Sequence, residues 1–164
     1  MAERVRQIGG FVSWIELTQG QKVRVDPEDY ALLKRYSWCA MWVECNHTFY
    51  ALNRKLGLMH RFLTNAPAEL VVDHKNHNTL DNRKANLRIC SRLQNQQNMR
   101  MHADNTTGFK GVSRLKGKFR ARIHLNGREK SLGVYDTTQE AAQDYDRASK
   151  QHFGDFAYSA RRET

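Results

Sequence analysis

Between Val72 and Asn98 the sequence reads VDHKNHNTLDNRKANLRICSRLQNQQN. Two carboxylates, two imidazoles and a run of amides crowd into it, and no apolar core needs such a set. Asp73 and His74 are adjacent at the end of a strand-like segment, ELVVDH. Asn95 falls one turn inside a helix that Ser91 can cap. A strand, a loop and a helix can therefore bring a carboxylate, an imidazole and an amide oxygen together. Carboxylate and amide oxygens are hard ligands, suited to Mg²⁺ or Mn²⁺, which share their remaining positions with waters and phosphate oxygens. A neutral histidine beside such an ion can take a proton from water near pH 7. Lys75, Arg83, Lys84, Arg88, Arg92 and Arg100 surround the cluster with charge that would meet phosphates. The bland reading has equal weight on spacing alone, because Asn-rich loops are common wherever turns need left-handed backbone. A zinc site on His74-x-x-His77 lacks the further ligands that a tetrahedral set requires.

The elements that must position these groups are short. FVSWIELTQGQKVRV (11–25) alternates apolar and polar residues around Gln19-Gly20, the pattern of a β-hairpin. Asp26 and Pro27 open a helix over DPEDYALLKRY. WCAMWVEC and TFYALNR flank Asn46-His47 as a second hairpin, and LMHRFLT reads as a short helix. Ser91 with Gln94 forms a capping-box pattern that predicts a helix over about 92–101. Thr137 with Glu140 repeats the pattern for a helix over DTTQEAAQDYDRASKQHF. Strand signals lie at 110–116, 118–125 and 129–135.

KFRARIHLN (118–126) has strict period two. Lys118, Arg120, Arg122, His124 and Asn126 share one face, and Phe119, Ala121, Ile123 and Leu125 the other. Ala141, Ala142, Tyr145 and Ala148 of the last helix can cover the apolar face. That leaves a cationic face for a phosphate-lined groove. Eight Lys/Arg and a single acid, Glu129, lie between Lys110 and Lys130, against four Lys/Arg and six acids from Ser131 onward. The candidate DNA contacts are Arg114, Lys116, Lys118, Arg120, Arg122, Arg128 and Lys130, with Arg83 and Arg88 in the first half.

The bulk composition agrees. The 164 residues carry a formal net charge of +10, which favours a polyanionic partner. Hydrophobic residues at 40% and charged residues at 27% are globular proportions. No run of 18 apolar residues can span a membrane, and MAERVRQIGG reads as an exposed tail without a signal core. Cys39, Cys45 and Cys90 are odd in number and form no C-x-x-C pair, which points to a reducing compartment.

MHRFL…VVDHKNHNTLDNRKANLRICSRLQNQQN resembles the HNH endonucleases, specifically the phage and intron-encoded homing branch. The matching landmarks are Asp73-His74, Asn86 twelve residues after His74, Asn95 nine further on, LDNRKANLR, and MHR at 59–61. Asn95 stands where the last histidine of the name would be. The resemblance covers about residues 11–100. It implies a ββα-metal fold and hydrolysis of double-stranded DNA with one divalent ion, Mg²⁺ or Mn²⁺, per active site. Asp73 and Asn95 would be metal ligands. His74 and Asn86 would complete the catalytic centre, His74 as general base and Asn86 tying the loop by hydrogen bonds. His60 and His77 match less diagnostic positions. Residues 108–157 resemble the ethylene-response-factor (APETALA-type) DNA-binding domain through Gly111-Val112, Arg114, Gly117-Lys118-Phe119, Leu132-Gly133, Glu140-Ala141-Ala142, Tyr145-Asp146-Arg147-Ala148 and Gly154. That family implies three antiparallel strands on one helix. Its DNA-facing tryptophans are absent here, so base preference does not transfer.

The expectation is an α+β chain: a nuclease domain over 1–101, a linker at 102–108 and a DNA-reading domain over 109–164. It would be an intracellular, phage or mobile-element, sequence-directed endonuclease that nicks one strand per active site, as monomer or homodimer, with no membrane partner and no small-molecule cofactor. The competing reading is a DNA-binding regulator with an inactive nuclease-like half.

Overall fold

A computed structural model describes residues 12–99, 101 and 105–158. The expected N-terminal tail, Arg100 and residues 102–104 of the expected linker lie outside the described residues. The architecture is mixed α and β, built of four small antiparallel sheets, and the chain divides into two compact units after Ser91.

In the first unit, β1 (Ser13–Glu16) pairs with β2 (Lys22–Val25) across a turn in which Gln19 and Gly20 take left-handed backbone. The alternation of β2 buries Val23 and Val25 completely. α1 (Pro27–Leu33) starts at the proline, as its fixed φ favours. Asp26 precedes it but makes no side-chain cap. Its carboxylate instead accepts from the Lys84 amide at 2.7 Å, fastening a distant loop. β3 (Cys39–Val43) and β4 (Thr48–Asn53) form the second hairpin, to which β5 (Gly57–Leu58) adds an edge. α2 (Met59–Thr64) follows. Leu17, Val23, Val25, Leu33, Trp38, Ala40, Ala51 and Met59 make the core these pieces share. The buried Trp38 indole donates to Leu33 O at 3.0 Å. Arg61 of α2 donates to the carbonyls of Ala66, Pro67 and Leu70 at 2.8–3.0 Å, and so fixes the approach to β6 (Val71–His74). β6 pairs with β7 (Leu87–Cys90).

The second unit begins with α3, which spans Arg92–Gln97 rather than running to 101. None of its residues is buried, so no packed apolar stripe prolongs it. Its end is held by the Lys110 ammonium, which donates to Gln97 O at 2.9 Å and Met99 O at 2.6 Å. Burial lowers the pKa of Lys110 to about 8. Residues 105–108 of the expected linker form a built turn, with the Asn105 carboxamide oxygen accepting from the amides of Thr107 and Gly108. β8 (Val112–Leu115), β9 (Lys118–Leu125) and β10 (Arg128–Tyr135) lie in the order β10-β9-β8. A register shift between Ser131 and Gly133 leaves Leu132 as an inserted residue. α4 (Thr138–Phe153) begins with a complete capping box of Thr137 and Glu140 and packs Ala141, Ala142 and Tyr145 toward the sheet.

Gly111 is where that packing is closest. Its φ is +72°, and a Cβ there would sit 2.1 Å from Tyr145 Cδ2 and 2.8 Å from Arg122 O. Gly111→Ala should therefore destabilise the second unit by about 1–3 kcal/mol or more. Hydrogen exchange should show faster opening at the Ala121 amide and an unchanged rate at Val23.

Candidate active site

The β6–β7 register sets Asp73 opposite Arg88 and His74 opposite Leu87. Both Asp73 and His74 are buried, at 7% and 5% exposure. The loop that joins the strands folds back on itself through its amides. The Asn86 oxygen accepts from the Asn76 amide at 3.0 Å, and its Nδ2 donates to Asp81 O at 2.8 Å. Thr79 reaches β4, donating to Phe49 O at 2.6 Å and meeting Thr48 Oγ1 at 2.7 Å. Asp81, fully buried, accepts from Arg83 Nε and Nη2 at 2.8 and 2.7 Å and from Asn76 Nδ2 at 3.0 Å. Burial works to raise its pKa, but the Arg83 guanidinium overrides this and holds it below the usual carboxylate range.

His74 is enclosed by polar and aromatic groups. Its Nε2 lies 2.9 Å from Asn82 Oδ1. His60, carried by α2, meets it in a T-shaped contact with centroids 5.1 Å apart, and the Tyr50 ring flanks both. Burial pushes the His74 pKa down, against the opposing pull of Asn82, Asp73 and Asp81. His60 is driven to about 3 by burial first, then by His74 and Arg61. Burial likewise raises the Tyr50 phenol. His60, Tyr50 and Asn82 are parts of this constellation that sequence spacing did not single out. Only MHR at 59–61 hinted at His60. His77 lies in left-handed backbone, with its amide donating to His74 O at 2.9 Å.

The two first-half arginines expected on DNA each meet a carboxylate of the hairpin. Arg88 sends both Nε and Nη2 to Asp73 Oδ2, at 2.7 and 2.6 Å. Arg83 is taken by Asp81. Lys84 meets Glu28 and Asp29, and Lys75 donates to Ala85 O. The charge expected around the cluster is thus largely occupied in holding the loop. Asn95 lies on α3, in the second unit. Among the described residues no three His, Cys, Asp or Glu side chains group together. The Asp73 carboxylate is a hard oxygen donor of the kind that an ion keeping most of its waters accepts.

In the second unit, Arg120, Arg122 and His124 share the exposed face of β9, but not free of anions. Glu129 of β10 lies 2.9 Å from Arg122, 3.8 Å from Arg120 and 3.9 Å from His124. Lys118 pairs with Asp136 at 2.8 Å, and Arg114 lies over the Phe119 ring at 5.4 Å. Lys116 sits at the β8–β9 turn with φ +47°, and Arg128 and Lys130 are exposed on β10. The cationic face is therefore partly self-neutralised.

Residues 64–97, the segment that contains the β6–β7 hairpin and α3, match the family model HNH_3, described as "HNH endonuclease". The chain is also 28% identical over 141 residues to "Uncharacterized HNH endonuclease L560" of Acanthamoeba polyphaga mimivirus, covering 81% of this chain and 71% of that protein. These matches support a nuclease enzyme. No solved structure matches the chain. Nucleases of this kind generally use a divalent metal ion, and DNA is the substrate that the domain implies. No helix among the described residues is long and apolar enough to cross a membrane. The resemblance of residues 108–157 to a plant-type DNA-binding domain lies beyond the family match.

The depressed His60 pKa has a consequence for stability. An unfolded histidine takes up its proton near pH 6.5, whereas folded His60 resists until about pH 3. Between these values the unfolded chain binds more protons, so the contribution of neutral His60 is present above pH 6.5 and is lost as pH falls toward 3. His60→Phe keeps a ring and cannot be protonated. Urea melts at pH 4.5 and 7.5 should show a smaller acid-induced drop in the variant than in the parent.

Proposed function

We propose that this nuclease is a metal-dependent, sequence-directed DNA endonuclease of the homing type that cuts one strand per active site. The observation that carries this reading is the family match falling on the hairpin that buries Asp73 and His74 at one strand end. β6, β7 and α3 are read as the ββα-metal unit. Asp73 and Asn95 would hold one Mg²⁺ or Mn²⁺, which would supply Lewis-acid stabilisation of charge on the phosphoryl and leaving oxygens. Arg88 holds the Asp73 carboxylate in one orientation through Oδ2. Burial keeps the His74 imidazole neutral and able to accept a proton. The attacking water gives its proton to His74, its oxygen bonds to phosphorus, and the P–O3′ bond breaks. The products are a 5′-phosphate and a 3′-oxygen that is protonated from solvent. Asn86 keeps the loop closed rather than meeting the ion.

The second unit is read as the DNA-finding module. Lys118, Arg120 and Arg122 offer cations on one face of β9, where arginine can address guanine or phosphate; Lys116 lies at the β8–β9 turn, and Arg114, Arg128 and Lys130 pair in register with Phe119, Leu125 and Ile123 and so would reach DNA from the sheet's rim. Such a chain belongs with a mobile element, a reading that the viral relative supports.

A plasmid-cleavage assay tests the centre. Asp73→Ala and Asn95→Ala should each abolish cleavage with DNA affinity largely kept. His74→Ala should slow it by roughly 10²–10⁴, and EDTA should stop the parent enzyme. Full cleavage by Asp73→Ala and Asn95→Ala, at matched folding, would remove the site assignment.

The sheet is tested separately. The double change Arg120→Ala with Arg122→Ala should weaken binding to duplex DNA and flatten its salt dependence by about one unit for each phosphate no longer neutralised. Gel shifts at two salt concentrations read this. Unchanged affinity would mean that the face carries only solvated charge.

A further inference from the structure

We propose that Asn82 is the positioning residue of His74, selecting which imidazole nitrogen is left to accept the proton. The inference rests on His74 being the base. An amide oxygen can only accept a hydrogen bond, so the ring nitrogen it faces must carry the hydrogen. Asn82 Oδ1 faces His74 Nε2 at 2.9 Å. A neutral imidazole has one N–H, and Nδ1 therefore keeps the lone pair.

The structure shows how firmly that amide is placed. Asn82 has no exposed surface. Its backbone amide donates to Arg24 O at 2.7 Å, while the Arg24 amide donates to Leu80 O at 2.7 Å, so the loop is stitched to β2 on both sides of Asp81. Asp81 in turn is held by Arg83 and Asn76. The Asn82 Nδ2 group, by contrast, makes no hydrogen bond although it is buried. Burying an unsatisfied donor destabilises a fold, and an apolar residue of similar volume would avoid it. The side chain is thus poorly satisfied for its own sake and well placed to accept from one ring nitrogen. His60 and Tyr50 pack beside the same ring and restrict its rotation. Without the Asn82 oxygen, the imidazole could carry its hydrogen on Nδ1 and lose the base at that atom.

The test uses the full chain, ¹⁵N-labelled, with long-range ¹H–¹⁵N spectra of the imidazoles at pH 8 and plasmid cleavage in Mg²⁺. His74→Gln assigns the His74 signals by their loss. In the parent protein, His74 should show a protonated Nε2 and a bare Nδ1. Asn82→Leu should populate the other tautomer and lower kcat by roughly 10²-fold, the low end for losing a base, with KM within about threefold. Asn82→Asp keeps an acceptor oxygen and should retain both the Nε2–H tautomer and kcat within about tenfold. A parent spectrum with hydrogen on Nδ1 overturns the proposal, and that measurement needs no variant to fold. So does a folded Asn82→Leu that cleaves at the parental rate, or a folded Asn82→Asp that is inactive. Full cleavage by His74→Gln would instead remove His74 as the base, while the tautomer spectrum would still report on the hydrogen bond to Asn82.

Discussion

The constraint on which the β6–β7 hairpin depends is the buried Asp81 carboxylate. It lies at the centre of a loop with no regular structure and little apolar content, between two strands of four residues each. Burying a charge is costly unless partners surround it. Here Arg83 supplies two donors and Asn76 a third, while the Asp81 carbonyl accepts from Asn86. Once Asp81 is held, its neighbour Asn82 has little freedom, and through Asn82 the His74 ring is placed. Amides and charges thus do for this loop what apolar packing does for β1, β2 and α1.

The abundance of asparagine answers that problem with few residues. Asparagine offers both an acceptor and a donor on a short stem, so one residue can close a turn and bridge two backbones. Asn86 bridges the Asn76 amide and the Asp81 carbonyl, while Asn76 closes a turn by accepting from the Asn78 amide and donates to the Asp81 carboxylate. Asn53 plays the same part at the β4–β5 corner, accepting from the amides of Lys55 and Leu56 while donating to Ser37 O. The hydrophobic core of the first unit can then remain small, because the loop adds only Leu80 at its margin.

Local patterns were legible in the sequence where period and capping chemistry are local. The Gln19-Gly20 hairpin, the Pro27 helix start and the Thr137–Glu140 capping box all lie where the residues indicate. What the sequence did not disclose was partnership at a distance. Nothing local to Arg83 and Arg88 announces that their guanidinium groups will meet Asp81 and Asp73. Asp26 has the chemistry of a cap, yet its carboxylate is drawn to the Lys84 amide, 58 residues away. Glu129 is one acid among many cations in sequence but adjoins three of their side chains across the β9–β10 register. α3 stops early because helix propensity alone does not sustain a helix that buries nothing. The Asp73-His74 pair was visible from its types and spacing, whereas Asn82 and His60 gained meaning only when the chain brought them to the ring.

Arg61 has a different kind of consequence. Its guanidinium is held by three main-chain carbonyls of the segment leading into β6 rather than by a carboxylate. Dissolved ions screen the attraction between exposed opposite charges, but they compete poorly for hydrogen bonds to backbone dipoles at such short range. Association with a polyanion, by contrast, weakens steeply as salt rises, because releasing condensed counterions into a concentrated solution gains less entropy. The support beneath the β6 strand and the grip on DNA therefore answer to ionic strength on separate scales. In concentrated salt such a protein would let go of its substrate long before the β6–β7 hairpin lost its shape.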